Sequence, residues 1–223
     1  MNSPQSEIRA VVFDLDGTML NTEDVFELAG QELLARRGIQ MTDAIRHSML
    51  GRRAHEAFEA LRRMTGIRDS IPDLAHETKE LFEHFAGDLL TTMPGLDDVL
   101  HVVEQRQLPK AVATSSPRTY MTALLSRFEL LHRFPITLTA EDVTHGKPHP
   151  EIYETVARLL NVETHQMLVL EDSETGTRSA AAAGAFVVSV PNRHTVVGDF
   201  SMSSLKVSSL ADENLLRILR TGL

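Results

Sequence analysis

Val11-Val12-Phe13-Asp14-Leu15-Asp16-Gly17-Thr18 carries two carboxylates out of an apolar run that starts at Ile8. Such a run, rich in β-branched residues, reads as a strand covered on both faces. Gly17 breaks it. Side chains two apart in a strand point the same way, so Asp14 and Asp16 are expected to share one site if strand geometry continues that far. Two carboxylates that close repel, and a bound cation is the usual remedy. An Asp-Gly turn with solvated acids is the plain alternative, and the rest of the chain decides between them.

Beyond Thr18 the pattern turns helical as far as about Thr92. Helices are expected over Thr22–Arg37, with Thr22 as cap and Gly38 as stop, and over Thr42–Met49, Ala54–Met64 and Asp73–Leu90. Pro94-Gly95 marks a boundary, after which helices and strands alternate. Helix Leu96–Gln105 precedes strand Lys110–Thr114, and helix Pro117–Phe128 precedes strand Pro135–Thr139. Helix Pro150–Leu160 precedes strand Met167–Leu170, and helix Gly176–Ala183 precedes strand Phe186–Val190. This alternation predicts an α/β fold with a Rossmann-like parallel sheet. Residues 1–19 and 93–223 form the expected core domain, and 20–92 an inserted helical cap domain.

The totals narrow the function. At 223 residues, 42% hydrophobic and 24% charged, the chain suits one α/β domain with an insert. The absence of cysteine excludes disulfides, thiolate catalysis and cysteine zinc sites, and fits a cytoplasmic location. A net charge of −9 argues against non-specific nucleic-acid binding. No apolar run approaches the ~18 residues of a membrane span, and Met1–Arg9 lacks a signal-peptide core.

Open parallel sheets bind ligands at the carboxyl ends of their strands, so those ends are the place to look for chemistry. One strand runs into Thr114-Ser115-Ser116-Pro117, where Ser116 and Pro117 look like the cap and first residue of a helix whose hydroxyls and N–H groups suit an anion. Lys147 lies in Gly146-Lys147-Pro148-His149-Pro150, and the following proline restricts it to extended backbone, which aims the ammonium. Another strand ends in Glu171-Asp172-Ser173, again two acids at a buried exit. Asp14, Asp16, Asp172 and Glu171 together offer the hard oxygen ligands that Mg²⁺ prefers.

In this order the motifs resemble those of the haloacid dehalogenase superfamily: Asp14-Leu15-Asp16-Gly17-Thr18 is similar to the first, Thr114-Ser115 to the second, Lys147 to the third and Glu171-Asp172 to the fourth. The insert resembles the C1 cap of the β-phosphoglucomutase-like branch, and Met93-Pro94-Gly95 is also typical of that branch. The resemblance implies phosphoryl transfer through an aspartyl-phosphate, with Asp14 as nucleophile and metal ligand and Asp16 as acid–base group that also reaches the metal through its backbone carbonyl. Lys147, Thr114, Ser115 and Ser116 then hold phosphate oxygens. Dehalogenases lack the second aspartate, so Asp16 favours a phosphate ester. The mutases carry a histidine about twelve residues after the nucleophile, where this chain has Phe26, which favours water as acceptor. Met49-Leu50-Gly51-Arg52-Arg53-Ala54 resembles the corresponding segment of pseudouridine-5′-phosphatase-like enzymes, so Arg52 is a candidate contact for substrate and Arg53 is expected to be solvated.

The expectation is a Mg²⁺-dependent monomeric phosphatase for a small phosphorylated metabolite, a sugar phosphate or nucleoside monophosphate. The alternatives are a sugar-phosphate mutase and a catalytically retired phospholigand-binding protein. His47, His55, His76 and His84 read as surface residues, and the ten histidines show no metal spacing. Phe82 and Phe85 read as cap core, and Leu215, Leu216 and Leu219 as the apolar face of a terminal helix.

Overall fold

The structure is a computed structural model that describes residues 7–49, 52 and 54–222. Leu50, Gly51 and Arg53 of the arginine segment, and residues 1–6 of the polar N-terminus, lie outside them. The chain divides into two compact units, one made of the residues up to Met19 and from Thr92 onward, the other Leu20–Thr91.

The first unit is built on six parallel strands: β1 (Ala10–Phe13), β2 (Lys110–Ala113), β3 (Ile136–Leu138), β4 (Met167–Glu171), β5 (Phe186–Ser189) and β6 (Leu205–Lys206), in the order β3-β2-β1-β4-β5-β6. All four residues of β1 are fully buried, as a central strand covered on both faces requires. Register then sets the site. Phe13 pairs with Val112 on one side and Leu170 on the other, so the residues that follow, Asp14, Ala113-Thr114 and Glu171-Asp172, leave the sheet at one level. The strand order reverses between β1 and β4, the switch point at which open α/β sheets bind ligands.

The helices of this unit are α5 (Leu96–Gln105), α6 (Arg118–Arg127), α7 (Glu151–Leu160), α8 (Glu174–Ala182) and α9 (Glu213–Thr221). Ile152, Tyr153, Val156 and Ala157 of α7 pack into one core cluster with Val12, Ala111 and Val169. Leu215, Leu216 and Leu219 are buried on α9. Two residues make β6, too few to leave an alternating pattern, and sequence reading passed over it.

The second unit contains α1 (Thr22–Ala35), α2 (Asp43–Met49), α3 (Ala54–Thr65) and α4 (Ile71–Leu89). Leu33, Leu34, Phe58, Leu61, Leu74 and Leu81 form its core, with Phe85 packed against it. Gly38 and Gly66 end their helices with φ of +68° and +74°, which only glycine adopts readily. Thr22 is not the cap of α1: Asn21 takes that position and Thr22 is buried in the first turn. Asn21 also ties the two ends of the unit together, accepting from the Thr91 N–H and donating to the Leu89 carbonyl. Among the described residues no helix is long and apolar enough to cross a membrane.

Candidate active site

The strand β1 ends at Phe13, one residue before the first carboxylate. Asp16 follows in an isolated bridge, and the two carboxylates take different partners. Asp14 is buried and faces Lys147, whose ammonium lies 2.6 Å from Asp14 Oδ1, 2.6 Å from Glu171 Oε1 and 3.0 Å from the Ala113 carbonyl. Those contacts use all three ammonium protons. Asp16 instead accepts from the hydroxyls of Ser116 (2.6 Å), Tyr120 (3.0 Å) and Thr114 (3.3 Å). The oxygens that gather at one point are those of Asp14, Glu171 and Asp172, while the Asp16 carboxylate is held by hydroxyls from the β2–α6 loop and the first turn of α6.

Ser116 corrects a second expectation. It is not the cap of α6: Pro117 occupies that position, and the Ser116 hydroxyl is spent on Asp16. Thr114 accepts the Ser116 N–H and is buried, with Ser115 half-buried in the same turn. Arg52 is exposed in the helical unit, between α2 and α3.

Glu171 is fully buried and takes the second Lys147 bond, with the Tyr153 hydroxyl donating to the same oxygen and Ser173 to the other. Asp172 accepts from the Asn192 side-chain amide at 2.9 Å. Oxygens of Asp14, Glu171 and Asp172 lie within 4.8 Å of one another. Two glycines make this closeness possible. A Cβ on Gly17, whose φ is +76°, would stand 2.4 Å from an Asp172 oxygen, and one on Gly176 would stand 1.9 Å from Glu171.

The electrostatics follow from the geometry. Burial pushes the Asp14 carboxyl well above the usual carboxylate range despite the pull of Lys147, with Glu171 and Asp16 adding repulsion. Burial works against the Lys147 charge, yet Asp14 and Glu171 outweigh it and hold the ammonium well above its ordinary range. Burial, and then Glu171, keep the Tyr153 phenol protonated, so it serves as a donor. The buried carboxyl groups of Asp14, Glu171 and Asp172 bring hard oxygens together at one point. That donor set fits a small divalent cation.

Sequence reading missed Tyr120, Tyr153 and Asn192. The first two carry a signal in hindsight: the chain has only two tyrosines, and each lies in the first turn of the helix that follows the Thr114-Ser115 or the Gly146-Lys147-Pro148 motif. Asn192 carries none, since its partner is fixed by the fold.

A family model described as haloacid dehalogenase-like hydrolase matches residues 11–190. The chain is 34% identical over 194 residues to the validoxylamine A 7′-phosphate phosphatase of Streptomyces hygroscopicus subsp. limoneus, covering 83% of this chain and 87% of that one. It is 30% identical to the phosphorylated carbohydrates phosphatase of Thermotoga maritima, over 79% and 82% of the two chains. The crystal structure of CbbY from Rhodobacter sphaeroides in complex with phosphate superposes with a TM-score of 0.81 at 26% identity, covering 92% of this chain and 96% of that one.

Proposed function

Because the chain belongs to the haloacid dehalogenase-like hydrolase family, we propose that it is a phosphatase that hydrolyses a small phosphorylated carbohydrate by way of an aspartyl-phosphate at Asp14. The observation that carries the reading is the division of labour between the two carboxylates after β1. Asp14 faces the lysine and the acid cluster, while Asp16 is held apart by three hydroxyls.

In the proposed reaction an Asp14 oxygen attacks phosphorus, the O–P bond to Asp14 forms and the bond to the leaving alkoxide breaks. Asp16 gives that alkoxide its proton. It then takes a proton from the water that attacks the phosphoryl group, which releases phosphate and restores Asp14. Lys147 holds Asp14 in place for attack and offers positive charge beside the phosphoryl oxygens, while Thr114 and Ser115 line the same strand end. Mg²⁺ is the proposed cofactor: Asp14, Asp172 and Glu171, with the Asp16 backbone carbonyl, would hold it, and it would offset the repulsion between a carboxylate and a phosphate dianion. Arg52 is proposed, on its sequence context, as a contact for the substrate's leaving group. A cytoplasmic monomer is the proposed setting; the cysteine-free composition supports the compartment.

The test is phosphate release from a panel of sugar phosphates and nucleoside monophosphates, with Mg²⁺ and with EDTA. Metal-dependent turnover of a sugar phosphate is expected. Folded protein that hydrolyses no phosphomonoester would refute the reading. Conversion of a phosphosugar into its isomer, with no free phosphate, would assign a mutase instead. Phe26 speaks against that outcome, since it packs on Phe82 with ring centroids 4.6 Å apart and offers neither acid nor base.

A further inference from the structure

The two histidines that flank Lys147 form a cluster that the phosphatase chemistry does not use. His145 and His149 lie at either end of the Lys147 loop, and Glu151 opens α7. Their rings pack with centroids 4.6 Å apart, tilted by 32°. One nitrogen of each ring and one Glu151 oxygen lie within 4.8 Å of one another, the second such group among the described residues besides the buried acids. The expectation that the histidines show no metal spacing is thus wrong for this pair.

The polar contacts prepare the ligand atoms. Glu151 accepts the Thr144 N–H on Oε1 at 2.7 Å and the His145 N–H on Oε2 at 2.8 Å, so the backbone fixes its carboxylate. Oε2 also lies 2.9 Å from His145 Nδ1 and 4.0 Å from His149 Nδ1. The Glu151 N–H can only donate, so His149 Nδ1, 3.3 Å away, accepts and carries no proton, which is the form a metal binds. Giving up that long bond costs little at an exposed helix start. Oε2 accepts both the His145 N–H and, at 2.9 Å, the proton on His145 Nδ1. A cation bound between that nitrogen and Oε2 would take the ring proton's place and leave the backbone bond intact.

We propose that His145, His149 and Glu151 form a surface site for a transition-metal ion of the Zn²⁺ type, which clips the Lys147 loop to the start of α7. Two imidazoles and a carboxylate suit Zn²⁺ and its neighbours rather than Mg²⁺, which prefers oxygen alone. With the side chains of His145 and His149 63% and 50% exposed, water completes the tetrahedron. Because ligands on both sides of Lys147 are joined, the loop is stiffer with metal than without. The site is separate from the acid cluster and stands whether or not the chain is a phosphatase.

The test keeps the full chain in excess Mg²⁺, which occupies the acid cluster, and adds Zn²⁺ in a calorimeter or Co²⁺ in a visible spectrometer. The expected result is one equivalent bound, with tetrahedral Co²⁺ absorption. The double variant His145→Ala/His149→Ala should weaken it by more than the roughly 10–100-fold that losing an outer-shell partner costs. Asp172→Asn should leave it in place. Hydrogen exchange at residues 144–149 should slow on adding Zn²⁺ in the parent and not in the double variant. Binding that survives the double variant, disappears in Asp172→Asn, or is absent from the parent overturns the proposal.

Discussion

Replacing Lys147 with methionine keeps the length of the buried stem and removes only the ammonium. In the parent the Lys147 side chain is 4% exposed, and its ammonium lies 2.6 Å from a carboxylate oxygen of Asp14 and 2.6 Å from one of Glu171. Without it, Asp14 and Glu171 stay buried and lose the positive charge that each contacts in the parent. Removing one partner of a buried ion pair costs about 3–5 kcal/mol, a large part of the ~5–15 kcal/mol that holds a typical domain together. With a urea slope of ~2 kcal/mol/M the unfolding midpoint should fall by about 2 M. The assay is urea unfolding followed by circular dichroism, in EDTA and in excess Mg²⁺. The loss should be full in EDTA and partly recovered in Mg²⁺, because a divalent cation neutralises the same oxygens. Phosphate release should fall by about 10²-fold or more, the scale on which a lost transition-state donor is felt. An unchanged midpoint in EDTA would refute the reasoning, since the carboxylates would then need no compensation.

Three further outcomes follow from the geometry. Tyr120→Phe leaves Asp16 with the Ser116 and Thr114 hydroxyls only, so kcat should drop by about tenfold, equivalent to ~1.4 kcal/mol, with KM unchanged in steady-state assays. Gly176→Ala would bring a Cβ to 1.9 Å from Glu171 and force that carboxylate off Lys147 and Tyr153. It should cost about 1–3 kcal/mol in a thermal melt and lower turnover without altering any charge. Glu104 is held down to about 2, first by its hydrogen bonds from Arg133, against an unfolded value of 4.5. Its contribution is therefore complete above pH 4.5 and lost as pH falls toward 2. The side chain is 37% exposed, so solvent screening leaves about 1 kcal/mol. Glu104→Gln should be less stable than the parent at pH 7 and equal to it near the acid end of that window.

The legible parts of the chain were those whose signal is local. The β-branched run into Asp14, the Gly-Lys-Pro loop and the Glu171-Asp172 exit each carry their meaning in a few adjacent residues, and parallel register brings them to one level. The errors arose where a side chain's partner is distant in sequence. Ser116 looked like a helix cap because its nearest backbone groups are helical, yet its hydroxyl goes to Asp16, 100 positions away. Alternation along the chain places Asp14 and Asp16 near each other but does not show that hydroxyls of Thr114, Ser116 and Tyr120, about a hundred positions away, hold Asp16. Tyr153 resembles any apolar position on the buried face of α7, and only the fold shows its hydroxyl meeting Glu171. His145 and His149 flank Lys147 in the sequence, and only the loop between them, not a helical spacing, brings their rings together.

The central claim is that Asp14 becomes phosphorylated and Asp16 moves the protons. Rapid quenching of the parent with a turned-over sugar phosphate, followed by peptide mass spectrometry, tests it most directly. The peptide containing Asp14 should transiently gain one phosphoryl group, which persists longer in Asp16→Asn and never forms in Asp14→Asn. Turnover without a phosphorylated Asp14 peptide, or near-normal turnover by Asp14→Asn, would contradict the account.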